Sequence, residues 1–261
     1  MKKTALITGA CINTGVAIVE KFAAEGYDVI FTGRSAEGVT AAESKYQEKF
    51  PATTIKGYAL KSLTEEGLAD QQTVIDLFGM LDKDGVFVET LVLNAADQGL
   101  NMKIFENDLS DFVRVLHTNV VWNYCLCEQA AKRMKEQGGG NIVFVNSNTA
   151  YRAIPDRIAY VTSKGGQLGL MRALAMDLGK YGIRVNAVLP GMIRTDRWVK
   201  NPEFYAKVPS KYTPIGDVAD GADIADAVFY FAAHARNTTG AELVVDGGNT
   251  IQLYPIIPED N

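Results

Sequence analysis

Short apolar runs alternate along the chain with longer stretches in which apolar residues recur at helical spacing. The runs cover residues 3–8, 28–32, 54–60, 90–93, 142–145, 184–189 and 242–245, and their length and continuity suit strands buried on both faces. Helical patterns lie between them over 16–24, 36–49, 64–81, 108–137, 160–181 and 222–232. The long stretch 108–137 changes character around Thr118 and Asn119 and stops at Gly138-Gly139-Gly140. Strands and helices in this rhythm predict an α/β domain on a parallel sheet with right-handed crossovers. Its ligand belongs at the C-terminal ends of the strands.

Those ends carry the unusual residues. The first strand runs into Gly9-Ala10-Cys11-Ile12-Asn13-Thr14-Gly15 and then a helix, an order that aims unpaired N–H groups and a positive dipole end at a pyrophosphate. Gly9 permits the tight turn, and Gly15 lets helix and strand approach. The second strand ends in Gly33-Arg34-Ser35 without an acid. A carboxylate here would bind a ribose 2′-hydroxyl and an arginine a 2′-phosphate, so Arg34 favours NADP(H) over NAD(H). NAD(H) stays open, because an exposed arginine after a strand is common. The fourth strand ends in Asn94-Ala95-Ala96, small residues beside an amide that suit close passage of a ring or ribose; the amide is equally suited to a structural role.

The fifth strand ends at Ser147, and a loop with Pro155 leads to a helix entered at about Tyr160. Tyr160 and Lys164 are four apart and share one helix face. A phenol titrates near pH 10 in water, roughly, and an ammonium one turn away favours its ionised form. Serine then orients a reacting oxygen, tyrosine moves the proton and lysine tunes it. Taken alone the pair reads as a snorkelling lysine on an amphipathic helix; the nucleotide-type strand ends tip the balance. Asn119, polar among Val120, Val121 and Trp122, is either a satisfied interior amide or part of a water relay.

With 261 residues, 47% of them hydrophobic, the chain has enough material for one large core. A formal charge of -5 argues against nucleic acid as partner, and the apolar runs are too short for a membrane span. The apolar part before Gly9 is too short for an export signal, and three cysteines fit a reducing compartment, so a cytoplasmic protein is expected. Cys125 and Cys127 point apart on a helix, and His117 and His234 lie away from ligand spacing, so no metal site is expected. Residues 192–216, with aromatics and prolines, form a candidate substrate lid, and the tail 253–261 packs on a neighbour or frays.

Together, Thr8-Gly9-x5-Gly15, Asn94-Ala95-Ala96, Asn119, Ser147, Tyr160-x3-Lys164, Pro190-Gly191 and Val245-Asp246-Gly247-Gly248 resemble the short-chain dehydrogenase/reductase family over almost the whole chain. The resemblance implies a single-domain Rossmann fold: a doubly wound seven-stranded parallel sheet with helices on both faces, in a homodimer or homotetramer. It implies Tyr160 as general acid/base, Ser147 holding the reacting oxygen, and Lys164 lowering the tyrosine pKa and binding the nicotinamide ribose. Asn119 positions a relay water. The cofactor is lined by Gly9, Asn13, Thr14, Gly15, Arg34, Ser35, Asn94 and Ala95, with Pro190, Gly191, Ile193 and Thr195 on the nicotinamide side.

The chain departs from that pattern in three places. Asn13 replaces a middle glycine, and asparagine is the residue after glycine that best tolerates positive φ. Cys11 and Ile12 replace a serine and a basic residue, and Lys61 or a neighbour stands where an aspartate meets adenine. The expected activity is NADP(H)-linked interconversion of a carbonyl and a secondary alcohol on a small molecule. The alternatives are a cofactor-binding protein without turnover, and an epimerase, dehydratase or double-bond reductase on the same scaffold. Enoyl-reducing relatives space tyrosine and lysine more widely, which disfavours the last.

Overall fold

The structure is a computed structural model that describes residues 2–101, 103–106, 108–195, 198, 200–206 and 208–255. Seven strands, β1 (Thr4–Ile7), β2 (Asp28–Gly33), β3 (Ile55–Ala59), β4 (Thr90–Leu93), β5 (Gly140–Val145), β6 (Ile183–Pro190) and β7 (Glu242–Val245), form one sheet. Their order is β3-β2-β1-β4-β5-β6-β7, and every neighbouring pair is parallel.

Alternate residues of the central strands enter opposite cores. Ala5, Ile7, Val29, Phe31, Val143 and Val145 face one layer, while Leu6, Ile30, Ile142 and Phe144 face the other. Both layers are covered by helices, which is why these strands carry no polar face. One layer packs α1 (Asn13–Ala24) against α9 (Gly221–Phe229), and the other is covered by α3 (Gln71–Lys83), α5 (Trp122–Glu136) and α6 (Ile158–Leu178). The sheet is therefore a doubly wound α/β sheet.

Four helix starts among the described residues carry side-chain caps. Ser35 caps α2 (Ala36–Lys49), Asp70 caps α3, Asp108 caps α4 (Leu109–Leu116), and Asp220 with Asp223 makes a capping box on α9. The third helix begins at Gln71, later than the helical pattern from residue 64, because Leu63 and Ala69 pair as an antiparallel bridge and Asp70 supplies the cap. Around Thr118 and Asn119 the long helix is broken by a π turn, His117–Val121, between α4 and α5.

The candidate lid contains two short helices, α7 (Pro202–Tyr205) and α8 (Val208–Tyr212), while residues 196, 197, 199 and 207 lie outside the described residues. Of the tail, Leu253 and Tyr254 are exposed and residues 256–261 lie outside the described residues. Strand order reverses between β1 and β4, so the loops after these two strands diverge and leave a crevice at their C-terminal ends.

Candidate active site

A cleft of about 1110 Å³ occupies that crevice. Its first wall is the turn between β1 and α1. Ile12 stands at the N-cap of α1 with no side-chain hydrogen bond, and the first turn has no acid. The opening N–H groups of the helix are thus left to a ligand anion. Gly9 has φ 65°, and a Cβ there would lie 2.8 Å from Ala95 Cα; a Cβ on Gly15 would lie 2.5 Å from the Gly9 carbonyl oxygen. Asn13 adopts φ 50°, the left-handed conformation for which asparagine is suited.

Thr8 and Asn94 tie this turn to the end of β4. Thr8 Oγ1 accepts from the backbone N–H groups of Asn94 and Ala95, each at 3.0 Å, and Asn94 Nδ2 donates to the Thr8 and Gly9 carbonyls, each at 3.0 Å. The Asn94 amide therefore holds the loop's shape. An uncapped helix end and a turn with no room for a Cβ at Gly9 or Gly15 fit a dinucleotide pyrophosphate.

At the β2 end, a Cβ on Gly33 would collide with Cys11 Sγ, so Cys11 packs where only glycine fits. Arg34 and Ser35 follow, exposed and lining the cleft, with Ser35 Oγ accepting from the Gly38 N–H at 3.2 Å. Lys61, beyond β3, lines the same end. Asp97 is the acidic residue among the described lining, and Arg114 pairs with it and with Asp111.

Two further hydroxyls, of Ser147 and Tyr160, also line the cleft. Ser147 Oγ accepts from the Thr149 N–H at 3.2 Å and from Thr149 Oγ1 at 3.0 Å, which leaves its own proton to donate. Burial pushes the half-buried Tyr160 phenol above its ordinary pKa; the Ser147 hydroxyl and the Arg157 charge pull it back. Lys164, 1% exposed, is driven down to about 7 by burial. Its Nζ lies 5.6 Å from the Tyr160 ring centre and donates to the Val145 carbonyl at 3.1 Å and to Gln167 Oε1 at 3.2 Å.

Fifteen of the residues singled out in the sequence line this one cleft: Gly9, Asn13, Thr14, Gly15, Arg34, Ser35, Asn94, Ala95, Ser147, Tyr160, Lys164, Pro190, Gly191, Ile193 and Thr195. Asn119 does not. Its Oδ1 accepts from the Asp97 N–H at 2.7 Å, and its Nδ2 donates to the Asp97 carbonyl at 2.8 Å and to Ser163 Oγ at 2.9 Å. Its carbonyl accepts from Asn123 Nδ2 at 2.8 Å and Gln167 Nε2 at 2.7 Å, which uses both lone pairs. These bonds make Asn119 a hydrogen-bonded interior amide, with one lone pair of Oδ1 uncommitted. Asn146 and Gln167 escaped the sequence reading, because their hydrogen-bond partners come from separate elements.

Arg152, Arg157 and Arg194 are each held by partners within the protein. Arg152 donates to the carbonyls of Asn249, Thr250 and Gln252, Arg157 to those of Gln98 and Gly99, and Arg194 pairs with Asp217 at 2.6 Å. Cys125 and Cys127 are buried, and no cluster of metal-binding side chains occurs among the described residues. No helix among them is long and apolar enough to cross a membrane.

A family model described as enoyl-(acyl carrier protein) reductase matches residues 9–250. The chain is 33% identical over 247 residues to a 3alpha-hydroxysteroid dehydrogenase of Mediterraneibacter gnavus, covering 94% of this chain and 96% of the relative. Identity is also 33% over 259 residues to an L-rhamnose 1-dehydrogenase (NAD(P)(+)) of Azotobacter vinelandii, covering 96% and 98%. Among solved structures, ElxO with NADP bound superposes with a TM-score of 0.85 at 28% identity, covering 97% and 100%. The chain belongs to the short-chain dehydrogenase/reductase family and is an NAD(P)-dependent oxidoreductase.

Proposed function

We propose that the protein interconverts a small-molecule carbonyl and secondary alcohol using NADP(H), with Tyr160 exchanging the proton. The observation that carries this is the continuity of one cleft from the uncapped end of α1 and Arg34 to Ser147, Tyr160 and Lys164. A bound nicotinamide supplies or accepts the hydride. Ser147, its own proton free to donate, holds the reacting oxygen as charge develops on it. Tyr160 gives that oxygen a proton in reduction and takes one in oxidation, a contribution of roughly 10²–10⁴-fold. Lys164 binds the nicotinamide ribose and, when charged, favours the phenolate.

Arg34 and Lys61 at the β2 and β3 ends support a 2′-phosphate, and no carboxylate among the described lining stands beside them to receive a 2′-hydroxyl. Met192, Ile193, Thr195 and Trp198 line the cleft from the 192–216 segment, which supports its role as a lid over the substrate. Val121 and Tyr124, exposed and three apart on a helical face, support a homodimer or homotetramer. Oxidation of NADPH and NADH against a panel of ketones, ketosteroids, acyl thioesters and sugars tests the reading. Turnover with NADPH that disappears in Tyr160→Phe while cofactor binding survives is the expected result; full activity in that variant rejects the assignment.

A further inference from the structure

Gln167 lies three residues beyond Lys164 on α6 and is 1% exposed. Its amide has three partners. Oε1 accepts from Lys164 Nζ at 3.2 Å and from Asn146 Nδ2 at 3.0 Å, and Nε2 donates to the Asn119 carbonyl at 2.7 Å. Turning the amide over would set N–H against N–H and carbonyl against carbonyl, so its direction is fixed. Lys164 therefore meets an acceptor held in place by the end of β5 and by the π turn.

We propose that Gln167 is the positioning residue for Lys164 in the reaction, a strut that anchors the amine from the interior and fills the space between it and the Asn119 carbonyl. The inference rests on the reading of Ser147, Tyr160 and Lys164 given above. A water in that space would pass protons onward, whereas an amide donates and accepts without titrating. Proton exchange with Tyr160 and Lys164 accordingly runs through the cleft.

The groups facing Lys164 are few. Tyr160 stands on its own helix, the Val145 carbonyl and the Asn146 amide come from β5 and its end, and the Asn119 carbonyl reaches it through Gln167. Ser147 and the charged Arg157, Asp97 and Arg114 belong to the surroundings of Tyr160 and the cleft wall. Burial lowers the lysine pKa without an opposing charge, which makes the remaining acceptors decisive.

Each of Gln167's other partners keeps a second hydrogen bond without it. Asn146 Nδ2 also donates to the Lys164 carbonyl at 3.0 Å, and the Asn119 carbonyl also accepts from Asn123 Nδ2 at 2.8 Å. Removing the amide strips an acceptor from Lys164 and leaves the other two groups satisfied.

The test is an NMR titration of the full chain carrying lysine labelled with ¹³C at Cε, with the Lys164 signal assigned by its loss in Lys164→Met. In Gln167→Leu the midpoint falls by about one pH unit. In Gln167→Glu a carboxylate beside the ammonium raises it by roughly one to three units. Turnover in Gln167→Leu drops by about tenfold. A merely structural glutamine would leave the pH dependence of kcat unmoved, whereas a positioning residue shifts its limb with the Lys164 midpoint in both variants. Midpoints that stay put or move together, or unchanged turnover in Gln167→Leu, overturn the proposal, and Gln167→Glu decides it should the leucine variant not fold. Retained turnover in Tyr160→Phe is a different failure, which overturns the reading of the site.

Discussion

Lys164 Nζ lies over the ring of Tyr160, 5.6 Å from its centre, and its hydrogen bonds go to the Val145 carbonyl and Gln167 Oε1. The helical spacing brings the two side chains together, but the amine is turned toward neutral acceptors inside the protein. Burial accordingly dominates both groups, raising the phenol and lowering the amine. The arrangement lacks the negative charge that would make an ammonium favourable at this depth. A dinucleotide brings such charge in its phosphates.

The stability of the ligand-free protein should therefore carry the signature of a buried lysine. Burial holds its pKa down at about 7 in the folded chain, against 10.5 for a lysine in water. Between these, the unfolded chain binds the extra proton, so stability rises with pH by up to about 1.4 kcal/mol per unit. The penalty is full below the folded pKa and gone above the unfolded one. Lys164→Met should be more stable than the parent near neutrality, with the difference shrinking toward pH 10, roughly. Denaturant melts of both proteins across this range read it directly. A constant difference between the two would mean that Lys164 keeps its ordinary pKa.

Cofactor binding should in turn restore the proton. Phosphate charge favours the ammonium, so NADPH binding at about pH 8 takes up as much as about one proton per site. Calorimetry in buffers of different ionisation enthalpy measures the uptake. Lys164→Met should abolish most of it; equal uptake in that variant would assign the proton to another group.

The strand ends were legible because a parallel sheet collects them at one edge whatever the loops do. Gly9, Arg34, Asn94 and Ser147 needed only the order of elements to be placed in a single cleft. The break at Thr118 and Asn119 was legible too, since polar residues interrupting an apolar stretch mark a change in backbone, here the π turn His117–Val121. The start of α3 was hidden: Thr64-Glu65-Glu66 has helix-compatible composition, yet the Leu63 to Ala69 bridge and the Asp70 cap decide the boundary. Gln167 and the saturated Asn119 carbonyl were beyond reach because their partners come from three separate elements, which spacing along one helix cannot show.

Asn13 offers a backbone test of the nucleotide turn. At φ 50° a β-branched residue is strained by about 1–2 kcal/mol, whereas glycine fits freely. Asn13→Val should lower the melting temperature by roughly 2–8 °C and weaken NADPH binding, while Asn13→Gly leaves the fold intact. Thermal melts and fluorescence titrations distinguish the two. Equal behaviour of the valine and glycine variants would show that the turn tolerates another conformation.

The proposed preference for NADP(H) can be tested at the exposed end of β2. Arg34 stands there with Lys61 nearby on the cleft wall, and the acidic Asp97 of the same wall is already paired with Arg114. A charge-assisted hydrogen bond to a 2′-phosphate contributes about 1.5–3 kcal/mol, or roughly ten- to a hundredfold. Arg34→Asp removes that donor, repels the phosphate and provides an acceptor for a 2′-hydroxyl. Its ratio of kcat/KM for NADPH over NADH should fall by about a hundredfold or more, with little change in melting temperature because the side chain is exposed. Lys61→Ala should produce a smaller change in the same direction, since an ammonium presents a point charge without the planar fork. A parent protein that already prefers NADH, or an Arg34→Asp variant with unaltered selectivity, would place the discrimination elsewhere in the cleft.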